Sequence, residues 1–187
     1  MRESLRCLIA AIVADDRVEV EEALRVAPAL ATAVVDEGHY ESRLGHWIYA
    51  GDTALHVAAA GHRVEIARTL LAAGAAGNAA GNHLQCQPLH YAVDSYLNNP
   101  FWDAARQVAT LQLLLEAGAS IDATDKNGAT ALHHAVRVGG VTAVKFLLAA
   151  NADITIRNKS GSPPFHLAVQ SLNRRGAGQG RTRAAQR

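Results

Sequence analysis

Residues 53–58 read TALHVA, and variants of this string return as PLHYA at 88–92, TALHHA at 130–135 and PPFHLA at 163–168. Each variant holds a histidine at the same place, so that consecutive histidines are separated by 34, 43 and 33 residues. These histidines are His56, His90, His133 and His166. Recurrence at such a step predicts a chain built from stacked repeats of one supersecondary unit.

A second mark follows each of the first three histidines. Leu70 and Leu147 begin Leu-Leu pairs 14 residues after their histidine, and a Gly-Ala or Asn-Ala pair comes shortly afterwards. In the middle repeat the corresponding pair begins at Leu114, ten residues later than this spacing requires. The difference predicts an insertion at about 96–107, between the two helices of that repeat.

The two marks together resemble the T-P-L-H-x-A signature and second helix of ankyrin repeats, over about residues 48–168. The resemblance implies an all-α solenoid of stacked helix-turn-helix units with projecting turn or hairpin loops. It also implies an interaction module, a scaffold for protein binding, rather than an enzyme. We predict a degenerate N-terminal capping repeat and connection at 1–47, repeats at about 48–81, 82–124 and 125–157, a partial repeat at 158–172, and a disordered arginine-rich tail at 173–187.

Composition agrees with a helical stack. Of the 187 residues, 49% are hydrophobic but only 5% are aromatic, which favours closely packed small helices over a sandwich or barrel. The net charge is +1, yet residues 173–187 hold five arginines and no acidic residue, so the remaining chain is mildly acidic. Such a body is unlike a nucleic-acid groove.

Cysteine content and hydropathy give the expected compartment. Cys7 and Cys86 alone do not build a disulfide framework, and this favours a reducing compartment. No apolar run reaches the ~20 residues that cross a bilayer. We therefore expect a cytoplasmic protein without membrane insertion.

The first 47 residues lack the signature. Residues 3–14 and 18–27 carry helical patterns on either side of Asp15 and Asp16, and Pro28 ends the second pattern. They predict a degenerate repeat of two helices. Residues 29–47 predict no particular element.

Metal and catalytic chemistry are weakly indicated. The signature histidines would lie on successive layers, too far apart to share an ion, and the resemblance implies that each hydrogen-bonds across its turn and towards its neighbour. His83, Cys86 and His90 come closest to metal-ligand spacing but lack an obvious fourth ligand. The sequence holds no recognised catalytic motif. We expect no metal, no cofactor and no enzymatic activity.

The resemblance also implies a contact surface made from turn tips and first-helix faces. The matching positions are Tyr49, Asp52, His83, Asp94, Ser95, Lys126, Asn127, Arg137 and Lys159. Phe101 and Trp102 lie in the insertion and are either binding anchors or rings packed against their own repeat.

The expected partner is a protein, bound by a monomer. Nothing in the sequence indicates a small-molecule substrate, and nucleic acid is not the expected partner. The alternative is an adaptor whose arginine-rich tail contacts nucleic acid or another anionic surface.

Overall fold

The computed structural model describes residues 2–94 and 102–168, and helices predominate there. The elements are α1 (Arg2–Ala14), α2 (Arg17–Val26), a short 3-10 helix (Pro28–Ala31), β1 (His39–Glu41), β2 (His46–Ile48), α3 (Ala54–Ala60), α4 (Val64–Ala72), α5 (Pro88–Ala92), α6 (Ala104–Glu116), α7 (Ala131–Val138) and α8 (Val141–Ala149). The predicted all-α fold is confirmed, with a small two-stranded sheet as an addition. Within the described ranges, no helix is both long and apolar enough to cross a membrane.

The helices pack in two layers. Helices α1, α3, α5 and α7 follow one another in the first layer, and α2, α4, α6 and α8 contribute to the second. Helices α1 and α2 also pack against each other and against α3 and α4, so they take the place of a first unit. The predicted domain limits themselves stay a prediction.

Backbone geometry explains why the turns use particular residues. Gly51 has a φ of +91°, and a Cβ atom there would lie 2.4 Å from the carbonyl oxygen of Gly81. Only glycine fits so close an approach. Beyond α4 and α8, Gly74 and Asn151 adopt positive φ values of 93° and 63°, as a left-handed helix end requires.

Leucines from successive units lie in the core. Leu70, Leu114 and Leu147 on the second helices are 0% exposed, and each is the first member of its Leu-Leu pair. Burial of each such side chain contributes roughly 1.5–3 kcal/mol. No single unit could bury these faces alone, so the units are stable as a stack.

A β-hairpin occupies the stretch for which the sequence predicted no element. Strands β1 and β2 are antiparallel, with His39 opposite Ile48 and Glu41 opposite His46. Upstream of the hairpin, Val35 donates its N–H to the carbonyl oxygen of Asp52 at 2.7 Å. The connection is therefore attached to the first signature turn.

The predicted insertion at 96–107 is wrong at its C-terminal end. Helix α6 begins at Ala104 because the Asp103 carboxylate caps it, accepting from Ala105 N at 2.7 Å and Arg106 N at 3.0 Å. Residues 104–107 are thus helical, and α6 has 13 residues where α4 and α8 have nine. Residues 95–101 lie outside the described ranges.

The fourth unit is described only at its start. Residues 164–168 are helical, in agreement with the predicted first helix. The predicted continuation to residue 172 and the tail at 173–187 lie outside the described residues.

Candidate binding surface

Three signature histidines connect neighbouring units. Nε2 of His56, His90 and His133 donates to the carbonyl oxygens of Cys86, Ala129 and Ser162 at 3.0, 3.2 and 3.1 Å. Nδ1 of each ring accepts the backbone N–H three residues earlier in its own turn. Each ring therefore holds its own turn and the next turn in a fixed relation.

Burial keeps these rings neutral. Desolvation lowers the pKa of His56 and His133, and it lowers the pKa of His90 to about 4, with a further contribution from His134. A neutral ring has one donor and one acceptor nitrogen, which is what both hydrogen bonds require.

His166 does not show this role within the described residues, and its predicted hydrogen bonding stays a prediction because the residues that would follow its turn lie outside them. Its side chain is exposed, and no ring hydrogen bond occurs within the described residues. The physical reason is its position in the last described turn, where no described unit packs beyond it.

Four aromatic rings lie next to one another at the hairpin, and all but the half-buried Tyr49 are exposed. We call Tyr40, Trp47, Tyr49 and His83 the aromatic row. Ring centroids are 5.9 Å apart for Tyr40 and Trp47, 6.4 Å for Trp47 and Tyr49, and 5.1 Å for Tyr49 and His83. Tyr40 and Trp47 are 53% and 51% exposed. Tyr49 and His83 were predicted contact positions, whereas the hairpin rings were missed.

His46 fastens the hairpin to the stack. Its Nε2 lies 2.9 Å from Asp94 Oδ2, and its Nδ1 lies 2.6 Å from the carbonyl oxygen of Trp47. Both partners are acceptors, so both hydrogen bonds form together only when both ring nitrogens carry a proton. Burial by itself lowers the pKa of His46, but the hydrogen bond and charge of Asp94 outweigh it and raise the pKa. The predicted contact residue Asp94 is thus engaged internally.

Asp52 is not a surface residue, and its prediction as a contact is wrong. It is 0% exposed. Its carboxylate accepts hydrogen bonds from Tyr91 Oη at 2.8 Å, Asn82 Nδ2 at 2.7 Å and Tyr49 N at 2.7 Å. Its polar atoms therefore hold the first two units together.

The third and fourth units carry the basic side chains Lys126, Arg137 and Lys159, which we call the basic end. Arg137 and Lys159 are exposed, as is Asn127, and Lys126 is half-buried. Lys126 N donates to Leu84 O at 2.8 Å, and Lys159 N donates to Asn127 O at 2.8 Å. These backbone bonds join consecutive turn tips, so the predicted contact residues of the third and fourth units project from a connected edge.

The insertion residues are only partly described. Ser95 and Phe101 lie outside the described ranges. Trp102 is half-buried, and its indole N–H is buried with no hydrogen-bond partner among the described residues. Trp102 is therefore not a freely exposed anchor.

A cavity of about 230 Å³ lies between the aromatic row and the basic end. Its lining includes Trp47, Tyr49, Cys86, His134 and Arg137. Hairpin, turn and first-helix residues thus border one depression of the concave side.

The predicted metal-like spacing does not assemble. His90 uses both ring nitrogens in the hydrogen bonds given above, and the exposed His83 contacts Tyr49. Cys86 instead lies near Asp125 and His134, and their ligand atoms are all within 4.8 Å of one another.

The three side chains of this cluster are buried, and the pKa values of Cys86 and Asp125 are shifted. Desolvation, together with the charge of Asp125, raises the pKa of Cys86 to about 12. Desolvation also favours neutral Asp125, but hydrogen bonds from His134 and two backbone N–H groups prevail and lower its pKa to about 2.

The architecture is that of a scaffold built from repeats, with side chains projecting from turns and first helices. Comparison with known families agrees with it. A family model described as ankyrin repeats (3 copies) matches residues 101–177, and one described as ankyrin repeat matches residues 50–82. The chain belongs to the ankyrin-repeat family. No curated protein is similar enough to this chain to count as a match.

Proposed function

We propose that this chain is a non-catalytic interaction module that binds an extended segment of a partner protein along its concave side. Ankyrin repeats are generally protein–protein interaction modules, and they are typically non-enzymatic. The particular surface and the chemistry of the partner are argued below from the side chains.

The aromatic row is the observation that carries the proposal. Tyr40 and Trp47 expose about half of their surface while remaining in ring contact. Aromatic side chains supply large contact areas and lose little conformational freedom on binding, so they are frequent hot spots. Because the hairpin is fastened through His46, little ordering entropy opposes association.

The basic end supports a partner segment with acidic residues. Arg137 and Lys159 are exposed cations, whereas the nearest buried carboxylate, Asp125, is already paired with His134. Complementary charge would accelerate the encounter and set the direction of the bound segment. We therefore propose a segment with apolar residues facing the aromatic row and acidic residues facing Arg137.

Buried polar groups hydrogen-bond within the stack, which supports a module that presents side chains to a partner rather than an enzyme. Asp52 and Tyr91 hydrogen-bond to each other, and His90 uses both ring nitrogens within the stack. Such groups position turns and are not available to a substrate.

The test uses a partner identified by affinity capture and then purified. Trp47→Ala should weaken binding by about 2 kcal/mol or more, roughly 30-fold, because it removes a hot-spot ring. Arg137→Ala should weaken binding less than Trp47→Ala does. The loss of affinity caused by Arg137→Ala should be greater at low salt than at high salt. Arg68→Ala is the matched control, since Arg68 is an equally exposed arginine on the second-layer helix α4. Equal affinities of Trp47→Ala and the unaltered chain would refute the proposed surface.

Deletion of residues 173–187 separates this proposal from the anionic-surface alternative. A complex formed by the concave side should keep its affinity within about twofold, because the tail lies beyond the fourth unit. If deletion abolished binding while Trp47→Ala still bound the partner, the arginine-rich tail would be favoured as the binding site.

A further inference from the structure

Equivalent side chains meet at each junction between consecutive signature repeats. At the first junction these are Asp52, Asn82 and Tyr91. Asn82 Nδ2 donates to Asp52 Oδ1 at 2.7 Å, and the Tyr91 hydroxyl donates to Asp52 Oδ2 at 2.8 Å. The three polar side chains there satisfy one another.

The third junction places Ala129, Asn158 and Leu167 at the same positions. Asn158 Oδ1 accepts from Ser160 N at 3.0 Å and Ser162 N at 3.1 Å, which shapes the turn. Two of the three positions are apolar, so this junction has no equivalent polar network.

The second junction holds Cys86, Asp125 and His134. Asp125 Oδ1 shapes the turn as Asn158 does, accepting from Asn127 N at 2.7 Å and Ala129 N at 2.9 Å. An asparagine would suffice for that role, as Asn158 shows. The carboxylate, thiol and imidazole therefore form a donor set that the turn does not require.

We propose that the junction between the second and third signature repeats binds Zn²⁺ through Cys86 Sγ, Asp125 Oδ2 and His134 Nε2. These three atoms lie within 4.8 Å of one another, and His134 Nε2 is 3.1 Å from Asp125 Oδ2. Ligands at zinc bond lengths of 2.0–2.3 Å are separated by about 3.3–3.8 Å in a tetrahedral site. Binding at these lengths would bring the Cys86 thiol to that separation from the other two ligand atoms.

The donor chemistry matches zinc better than other common ions. Thiolate and imidazole are preferred zinc ligands, and carboxylate is accepted, whereas Mg²⁺ and Ca²⁺ require oxygen ligands. Three protein ligands leave a fourth position. The 230 Å³ cavity is lined by both Cys86 and His134, so water or a partner side chain could reach that position from the concave side.

Proton balance follows from the hydrogen bonds. Arg137 donates to His134 Nδ1 at 3.1 Å, so the ring proton is on Nε2, facing Asp125. Binding moves that proton to Nδ1 and turns the exposed Arg137 side chain away. The Cys86 thiol loses its proton to solvent, and one proton is released for each ion bound.

The test is a Co²⁺ titration of the full chain after chelator treatment under a phosphine reductant. Cobalt should give a thiolate charge-transfer band that saturates at one ion per chain and disappears when Zn²⁺ is added. Cys86→Ser should abolish the band. Cys7→Ser should retain it, because Cys7 is the exposed second cysteine.

Two further variants keep the test valid if Cys86→Ser folds poorly. Asp125→Asn and His134→Leu introduce the residue types that Asn158 and Leu167 supply at the third junction, so both should fold. Each should weaken metal affinity at least about tenfold, the loss that even outer partners of a metal site cause. A missing charge-transfer band, or affinity unchanged in both variants, would overturn the zinc site without affecting the partner-binding proposal.

Discussion

The repeat stack and the hairpin at residues 39–48 hold surface side chains in position by different means. The stack relies on buried leucines and on neutral histidines such as His90, whose rings join successive turns. The hairpin buries Leu44 and Ile48 in the same core, and it is also fastened by the paired side chains of His46 and Asp94. The comparison shows that one binding side combines a rigid part, stabilised by burial, with a part that ionisation also stabilises.

The largest expected effect concerns the rigid part. Leu147→Ala should lower the free energy of unfolding by about 2–5 kcal/mol, because it leaves a cavity at a fully buried site. Leu148→Ala is the matched control, since the neighbouring side chain is 38% exposed and should change stability by less than about 1 kcal/mol. Denaturant unfolding followed by circular dichroism measures both, and equal losses would contradict the leucine core.

A smaller effect is expected for the histidines that join the turns. His133→Ala should cost about 1–3 kcal/mol, because the buried carbonyl oxygen of Ser162 and the N–H of Thr130 lose their partner. His166→Ala, at the equivalent exposed position, should stay within about 0.5 kcal/mol of the unaltered chain. Thermal unfolding of the two variants checks the difference. Similar melting temperatures would mean that the hydrogen bonds between turns contribute little.

Sequence periodicity predicted the stack well for a physical reason. Each unit must bury the same face against the next, so residues such as Leu70 and His56 recur at fixed spacing. The family-level function follows from the same pattern. The role of Asp52 could not be predicted, because its carboxylate bonds to Tyr91, 39 residues later, and no spacing in the sequence indicates that contact.

The hairpin escaped prediction for the opposite reason. Its strands have three residues each, too few to establish a period, although His46, Trp47 and Ile48 do alternate between buried and exposed. Its main fastening joins His46 to Asp94 across 48 residues, and no spacing in the sequence indicates such a contact. Half of the aromatic row was therefore missed.

The two parts should respond to pH in opposite directions. The pKa of His46 is raised above the ordinary histidine value of 6.5, so its stabilisation is complete below about 6.5 and is lost as pH rises through the higher folded value. The pKa values of His56 and His90 are lowered, to about 4 for His90, so the stack loses stability only as pH falls below about 6.5. The contribution of His90 is lost as pH falls to about 4. Asp94 and Asp52 are the charges that favour protonated His46.

This contrast involves the smallest expected change in free energy, and hydrogen exchange can measure it. Amide protection at residues 39–48 should fall between pH 6 and pH 8 after correction for intrinsic exchange. The free energy of opening should decrease by about 1 kcal/mol, because one hydrogen bond is weakened. Protection of α3 and α5 should not fall over the same interval, because burial lowers the pKa of His56 and of His90 and keeps both rings neutral. His46→Gln should remove the pH dependence of the hairpin while leaving the stack unchanged. A pH-dependent loss of protection that persisted in His46→Gln would show that another group fastens the hairpin, since the substituted side chain does not titrate.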